Sequence, residues 1–143
     1  MQRIDHIIKA EAKQDRSVID TVALTWEERQ KSRQRLRTTQ GQELALALPT
    51  GTRLQAGDLL PTVDGYIEVA LAPEDVILIM PQNLQEAAFV AYQIGNRHLP
   101  LEITGEGLKT LYERVLAAYF DQQAIATERR QLPFTPVTGV GHA

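Results

Sequence analysis

The side chains best suited to chemistry in this 143-residue sequence are its three histidines, at positions 6, 98 and 142. A neutral imidazole is a good ligand for divalent transition metals and titrates near neutral pH, so histidine is the first place to look for a metal site or a proton-transfer site. Cysteine is absent, which removes thiolate ligands, disulfides and a cysteine nucleophile. Any metal must therefore be held by imidazole, carboxylate, backbone or water. No glycine-rich phosphate loop, GxSxG elbow or HExxH motif occurs, and the carboxylate pairs Glu27–Glu28 and Glu74–Asp75 sit beside turn signals, where solvated surface is the ordinary reading. An enzyme is not expected. His6 has no motif around it and reads as a structural or surface residue. One imidazole, or two in one chain, cannot satisfy a transition metal, whereas a dimer doubles the count.

The elements that would position His98 are legible around Tyr92-Gln-Ile-Gly-Asn-Arg-His98-Leu-Pro100. Leu84, Ala87, Ala88, Ala91, Tyr92 and Ile94 recur at helical spacing, so residues 82 to 94 are expected to form a helix with one face on a core. Gly95 is expected to end it in a left-handed cap, with Asn96 the next most tolerant residue. Arg97 and His98 then leave the helix end, where the macrodipole favours cations, and residues 99 to 103 read as extended. Spacing alone makes His98 a capping or solvated residue more readily than a ligand.

The rest of the chain divides into two patterns. Up to about residue 73, short strands are separated by turns every eight to twelve residues: 3–9, 18–25, 43–48, 59–60 and 66–71, with Gln40-Gly41, Pro49-Thr-Gly51, Ala56-Gly-Asp58 and Val63-Asp-Gly65 between them. This is an all-β pattern. The stretch from Trp26 to Arg37 is ambiguous. Thr25 or Ser32 could cap a helix and Glu27 or Glu28 could pair with Lys31, yet Arg29, Lys31, Arg33, Arg35 and Arg37 alternate strictly, as on one face of a solvated edge strand. Pro73 to Asp75 marks a linker. Beyond it come an apolar strand at 76–80, the helix, the strand at 99–104, a short strand from Leu108, a second amphipathic helix at about 110–121 (Leu111, Val115, Leu116, Tyr119, Phe120) and a last strand at 123–132. The order βαββαβ is the ferredoxin-like pattern. The expected fold class is α+β: an N-terminal all-β domain over residues 1–73, then a ferredoxin-like domain over 76–143 with Thr138-Gly-Val-Gly141 as a flexible tail.

With 15 Lys plus Arg against 18 Asp plus Glu, the net charge of -3 lacks the basic excess usual in nucleic-acid binders. The start, Met1-Gln-Arg-Ile-Asp-His6, has no signal-peptide core, and no run approaches 18 apolar residues. A soluble, cytoplasmic protein without nucleic-acid or membrane partners is expected.

The run Gly95-Asn-Arg-His98-Leu-Pro100, preceded by Tyr92 and followed by Leu132-Pro-Phe-Thr-Pro136, resembles the urease accessory protein family called UreE. The Leu24-Thr-Trp-Glu-Glu-Arg29 segment with Arg33-Gln-Arg35 looks like the turn and strand of that family's N-terminal β domain, and favours the extended reading there. The resemblance implies a nickel metallochaperone that delivers Ni2+ to the urease apoenzyme, with His98 binding nickel at a homodimer interface that Tyr92, Gly95, Asn96 and Arg97 support. If the twofold axis passes beside His98, two His142 side chains could raise the donor set to four nitrogens. Zn2+ or Cu2+ can bind the same donors, so specificity would come from the delivery partner. The implied partners are urease apoenzyme and other urease accessory proteins, contacted by the β domain, with dimers pairing around a shared ion as a further step. Two features depart from the family. The chain ends in Gly-His-Ala143 rather than a histidine-rich tail, and residues 110 to 114 contain no histidine. The rival reading is a binding module without metal, using the five-cation strand 29–37 on RNA or an acidic protein.

Overall fold

The computed structural model describes residues 1–137. It forms two compact units, Met1–Ala72 and Pro73–Ala143.

The first unit is built from six strands. β1 (Gln2–Ile4), β3 (Arg33–Arg37) and β4 (Glu43–Ala47) form one sheet in the order β1-β4-β3. β2 (Val18–Leu24), β5 (Leu59–Pro61) and β6 (Tyr66–Leu71) form a second in the order β2-β6-β5. Alternation puts Ile4, Leu36, Leu44 and Leu46 of the first sheet and Val22, Leu24, Leu60, Ile67 and Val69 of the second into one buried cluster. Leu44 and Ile67 are fully buried; truncating such a side chain to Ala costs about 2–5 kcal/mol. The pairs β1–β4 and β2–β6 are parallel. That topology is not foreseen by a reading that goes turn by turn, since a hairpin turn can only join antiparallel neighbours.

The ambiguous stretch turns out to be both things in succession. Trp26–Arg29 is a single helical turn, α1, closed by a full capping box: Thr25 Oγ1 accepts from the Glu28 amide at 3.2 Å and Glu28 Oε1 accepts from the Thr25 amide at 2.9 Å. The strand β3 begins only at Arg33. The strand of five cations over 29–37 therefore does not exist. Arg29 is buried and donates to the Leu24 carbonyl at 2.8 Å, while Lys31 lies 3.9 Å from Glu27 one helical turn back.

The second unit has the expected fold. Strands β7 (Glu74–Ile79), β8 (Glu102–Ile103), β9 (Leu108–Leu111) and β10 (Thr127–Leu132) make an antiparallel sheet in the order β10-β7-β9-β8, with α2 (Leu84–Asn96) and α3 (Arg114–Gln122) as the crossovers. This is the ferredoxin-like βαββαβ arrangement. Ile77 and Ile79 pack with Val90 and Ile94 of α2 and Leu116 and Phe120 of α3. Several boundaries differ from expectation. β7 already begins at Glu74, inside the expected linker, and β10 only at Thr127 rather than at residue 123. Thr110 and Leu111 belong to β9, and α3 starts only after Glu113, whose Oε2 accepts from the Leu116 amide at 2.9 Å. The extended run before β9 shrinks to Glu102–Ile103.

The turn between β8 and β9 depends on Gly107. A Cβ added there would strike the carbonyl oxygen of Ile79, whereas one at Gly105 would meet nothing. Gly107→Ala should destabilise this unit by about 2–4 kcal/mol, and Gly105→Ala by no more than about 0.5 kcal/mol. Urea unfolding of the two variants, followed by a probe in this unit, checks the contrast. Equal midpoints would mean that the turn yields freely.

A strap follows the last strand. Lys109 Nζ donates to the Pro133 carbonyl at 2.9 Å and lies 3.3 Å from Glu102 Oε1, which in turn accepts from the Thr135 amide at 3.0 Å. The Val137 amide then donates to the Leu101 carbonyl. Phe134 and Pro136 are buried along the way.

Candidate metal centre

His98 stands just beyond the C-terminus of α2, and the way that helix stops sets its backbone. The Leu99 amide donates to the Ile94 carbonyl at 3.1 Å and the His98 amide to the Gly95 carbonyl at 3.0 Å. These are the paired bonds of a Schellman motif, with Arg97 as the cap and His98 in the left-handed position that follows it. His98 has φ of 59°. A residue with a Cβ is disfavoured there by roughly 1–2 kcal/mol, although histidine tolerates it better than most.

The expected glycine stop is therefore corrected. Gly95 lies within α2 and is not among the positive-φ residues, and the helix runs on to Asn96. The hydrophobic contact decides the register. A Schellman motif is reinforced when the residue after the left-handed one packs on the last helical turn. With His98 in that position the packing residue is Leu99, which joins the cluster containing Ile94. With Gly95 there it would be Asn96, which has nothing apolar to offer. α3 ends identically: Ala124 has φ of 57° and the Ile125 amide donates to the Phe120 carbonyl at 3.0 Å.

The inward face of α2 also differs from expectation. Val90 and Ile94 are the fully buried residues, backed by Phe89 and Ala91. Leu84 is 86% exposed and Tyr92 65% exposed, and Ala88 between them is exposed too. Spaced by four, these three form a second apolar stripe on the solvent side, running toward the His98 end. Periodicity registered an apolar helix without showing that it carries two apolar faces.

The other expected site residues fall around this corner. Gly95 and Asn96 are exposed in the last turn of α2, as is His98 beyond it. Arg97 is half-buried, with its guanidinium 5.3 Å from the centre of the Tyr119 ring. It packs on α3 by cation–π contact. His142 lies outside the described residues. His6 is exposed in the first unit with Nδ1 2.8 Å from Asp5 Oδ1, and that hydrogen bond is the main reason the Asp5 carboxyl titrates below the usual aspartate range.

Among the described residues no three histidine or carboxylate side chains converge. Among the described residues His98 thus stands as a single imidazole on a fixed backbone, and a metal held there would need further donors. The sequence reading did not foresee the bond from Val137 to the Leu101 carbonyl, which brings the end of the strap within three residues of His98. The Leu132-Pro-Phe-Thr-Pro136 motif was its visible trace. Nor does any helix among the described residues have the length and apolarity to cross a membrane.

Fold and site together define an α+β protein of two units, one all-β and one ferredoxin-like, with an exposed imidazole held in a left-handed helix stop. Each unit has a family counterpart. Residues 3–72 match the N-terminal domain of the UreE urease accessory protein and residues 74–143 match its C-terminal domain. The chain is 41% identical over 128 residues to the urease accessory protein UreE of Synechococcus sp. (strain JA-3-3Ab), covering 87% of this chain and 85% of that one. Against the UreE of Nostoc punctiforme the identity is 39% over 127 residues, covering 87% and 86%. Against that of Cupriavidus necator it is 40% over 119 residues, covering 82% of this chain and 62% of the longer relative. The chain belongs to the UreE family of urease accessory proteins.

Proposed function

We propose that this protein is a homodimeric nickel carrier that acts in urease maturation and delivers Ni2+ to the urease apoenzyme in the cytoplasm. The observation that carries the reading is His98 itself: an exposed imidazole kept in a left-handed conformation, at the end of an outward stripe of Leu84, Ala88 and Tyr92. An unpartnered apolar stripe beside it suits a second copy of the chain. A twofold axis there would bring two His98 imidazoles to one ion.

His142 is the natural further donor. It lies five positions beyond Val137, at most roughly 17 Å of extended chain, and His98 to Leu101 spans at most about 11 Å. The tail can therefore reach the same ion, giving up to four nitrogens per dimer. Imidazole donors also accept Zn2+ and Cu2+, so choice of metal rests with the delivery partner. The nickel is cargo, and the protein's task is to hold and release it. In this reading the second unit binds metal and dimerises, while the β unit contacts urease or other accessory proteins.

Nickel titration of the purified chain, with mass in solution measured alongside, tests this. One ion per dimer is expected, and residues 73–143 alone should also dimerise and bind. A chain that stays monomeric and binds no nickel would overturn the reading.

A further inference from the structure

The sheet β1-β4-β3 carries a charged trough on its solvent face. The register sets Arg3 of β1 and Arg35 of β3 on either side of Ala45 in the central strand, and Arg33 opposite Ala47. Arg3, Arg33 and Arg35 are exposed walls and the two alanines the floor of a shallow trough, open to solvent, of about 430 Å³. The neighbouring Arg37 is neutralised by Glu43 at 2.8 Å. The other three form no ion pair or side-chain hydrogen bond within the described residues. Asp5 feels Arg3 only through space and is hydrogen-bonded to His6.

Two features argue that this is more than a solvated edge. Alanine is a poor strand former, and a central strand with alanines at consecutive outward positions gives up β-propensity to keep the floor low. Three unneutralised guanidiniums also stand together in a chain whose net charge is -3. Like charges held this close without partners repel, which a binding partner would relieve.

We infer that this trough docks an extended acidic segment of a partner protein, with carboxylates at alternate positions. Arg33 and Arg35 lie two residues apart on one strand, so their stems are about 6.7 Å apart, and alternate side chains of an extended peptide repeat at the same interval. Each guanidinium fork matches a carboxylate. Arg3, two strands over and about 9.6 Å away, would meet a third acidic group. The methyl floor admits an extended backbone. Single-stranded nucleic acid is disfavoured because the lining has no aromatic ring for base stacking, and the negative chain would repel a long polyanion.

The surface lies wholly in the first unit, so it stands or falls independently of nickel binding. The probe is a labelled ten-residue peptide of alternating Glu and Ser, titrated into the full chain at low salt by fluorescence anisotropy. Its Gln–Ser counterpart and a single-stranded RNA decamer serve as comparators. The Glu peptide should bind, the Gln peptide should not, and added salt should weaken binding. Arg33→Gln with Arg35→Gln should weaken it by about tenfold or more, from two exposed charge pairs. Ala45→Tyr, which suits a strand and fills the trough, should do the same while leaving the unfolding midpoint and the nickel isotherm unchanged. No binding of the Glu peptide, equal affinity in the double variant, or tighter binding of RNA would each overturn the assignment.

Discussion

Replacing His98 with glycine should abolish tight nickel binding and leave the protein as stable as before, or slightly more so. The two effects separate because the backbone and the imidazole of His98 do different work. The left-handed position costs a residue with a Cβ roughly 1–2 kcal/mol, which glycine avoids, while glycine's freer unfolded chain takes back about 0.5–1 kcal/mol. The net change is about 0 to +1.5 kcal/mol in favour of folding. Ala124, at φ of 57° in the matching stop of α3, is the internal control: Ala124→Gly should give a gain of the same size with the nickel isotherm untouched. In a dimer His98→Gly removes two nitrogens at once. The affinity should fall by more than the roughly 10–100-fold typical of losing only a supporting group around a metal. His98→Val should lose nickel as well, but should also destabilise the fold, since a β-branched residue fits the left-handed region worst. Isothermal titration and thermal unfolding of the variants read both quantities. Unchanged nickel affinity in His98→Gly would end the carrier reading in this form.

How far the sequence foretold this structure depends on whether a feature is local. β6 occupies residues 66–71 as expected, and β2 and β4 differ by one residue at the C-terminal end, because alternation and turn residues are local signals. The ferredoxin-like order was legible for the same reason. What escaped was set at long range. The parallel pairing of β1 with β4 joins residues some forty positions apart, and no turn announces it. The stop of α2 was misplaced because glycine is only a permissive signal. The placement of Leu99 on the core outweighed the conformational ease of Gly95, and a histidine bears the backbone strain in consequence. The two faces of α2 could not be told apart, since an apolar residue left facing solvent and one packed into the core are identical in sequence. The run of basic residues failed at Arg29 because the capping box around Thr25 and Glu28 claims that segment for a helical turn before β3 begins.

Removing His142, by His142→Ala or by deletion of the last three residues, should weaken nickel binding without abolishing it. It should also flatten the dependence of affinity on pH. Each imidazole must be neutral to bind metal, and its ordinary pKa is about 6.5, so protons compete with the ion as the pH falls. The sign is fixed: affinity declines toward acid. For one ordinary imidazole, the competition costs little at pH 7.5 and about tenfold at pH 5.5. With four imidazole donors protons compete at more positions than with two, so acidification should weaken the full chain's binding more steeply than the truncated chain's. The variant should therefore bind more weakly at neutral pH, yet lose less on acidification, and the two curves should converge toward pH 5.5. Nickel titrations of both proteins at several pH values between about 5.5 and 7.5 read the slopes directly. Parallel curves of equal height would show that His142 is a bystander. Carboxylate or water would then complete the coordination of the His98 pair, a donor set whose acid sensitivity belongs to two imidazoles alone.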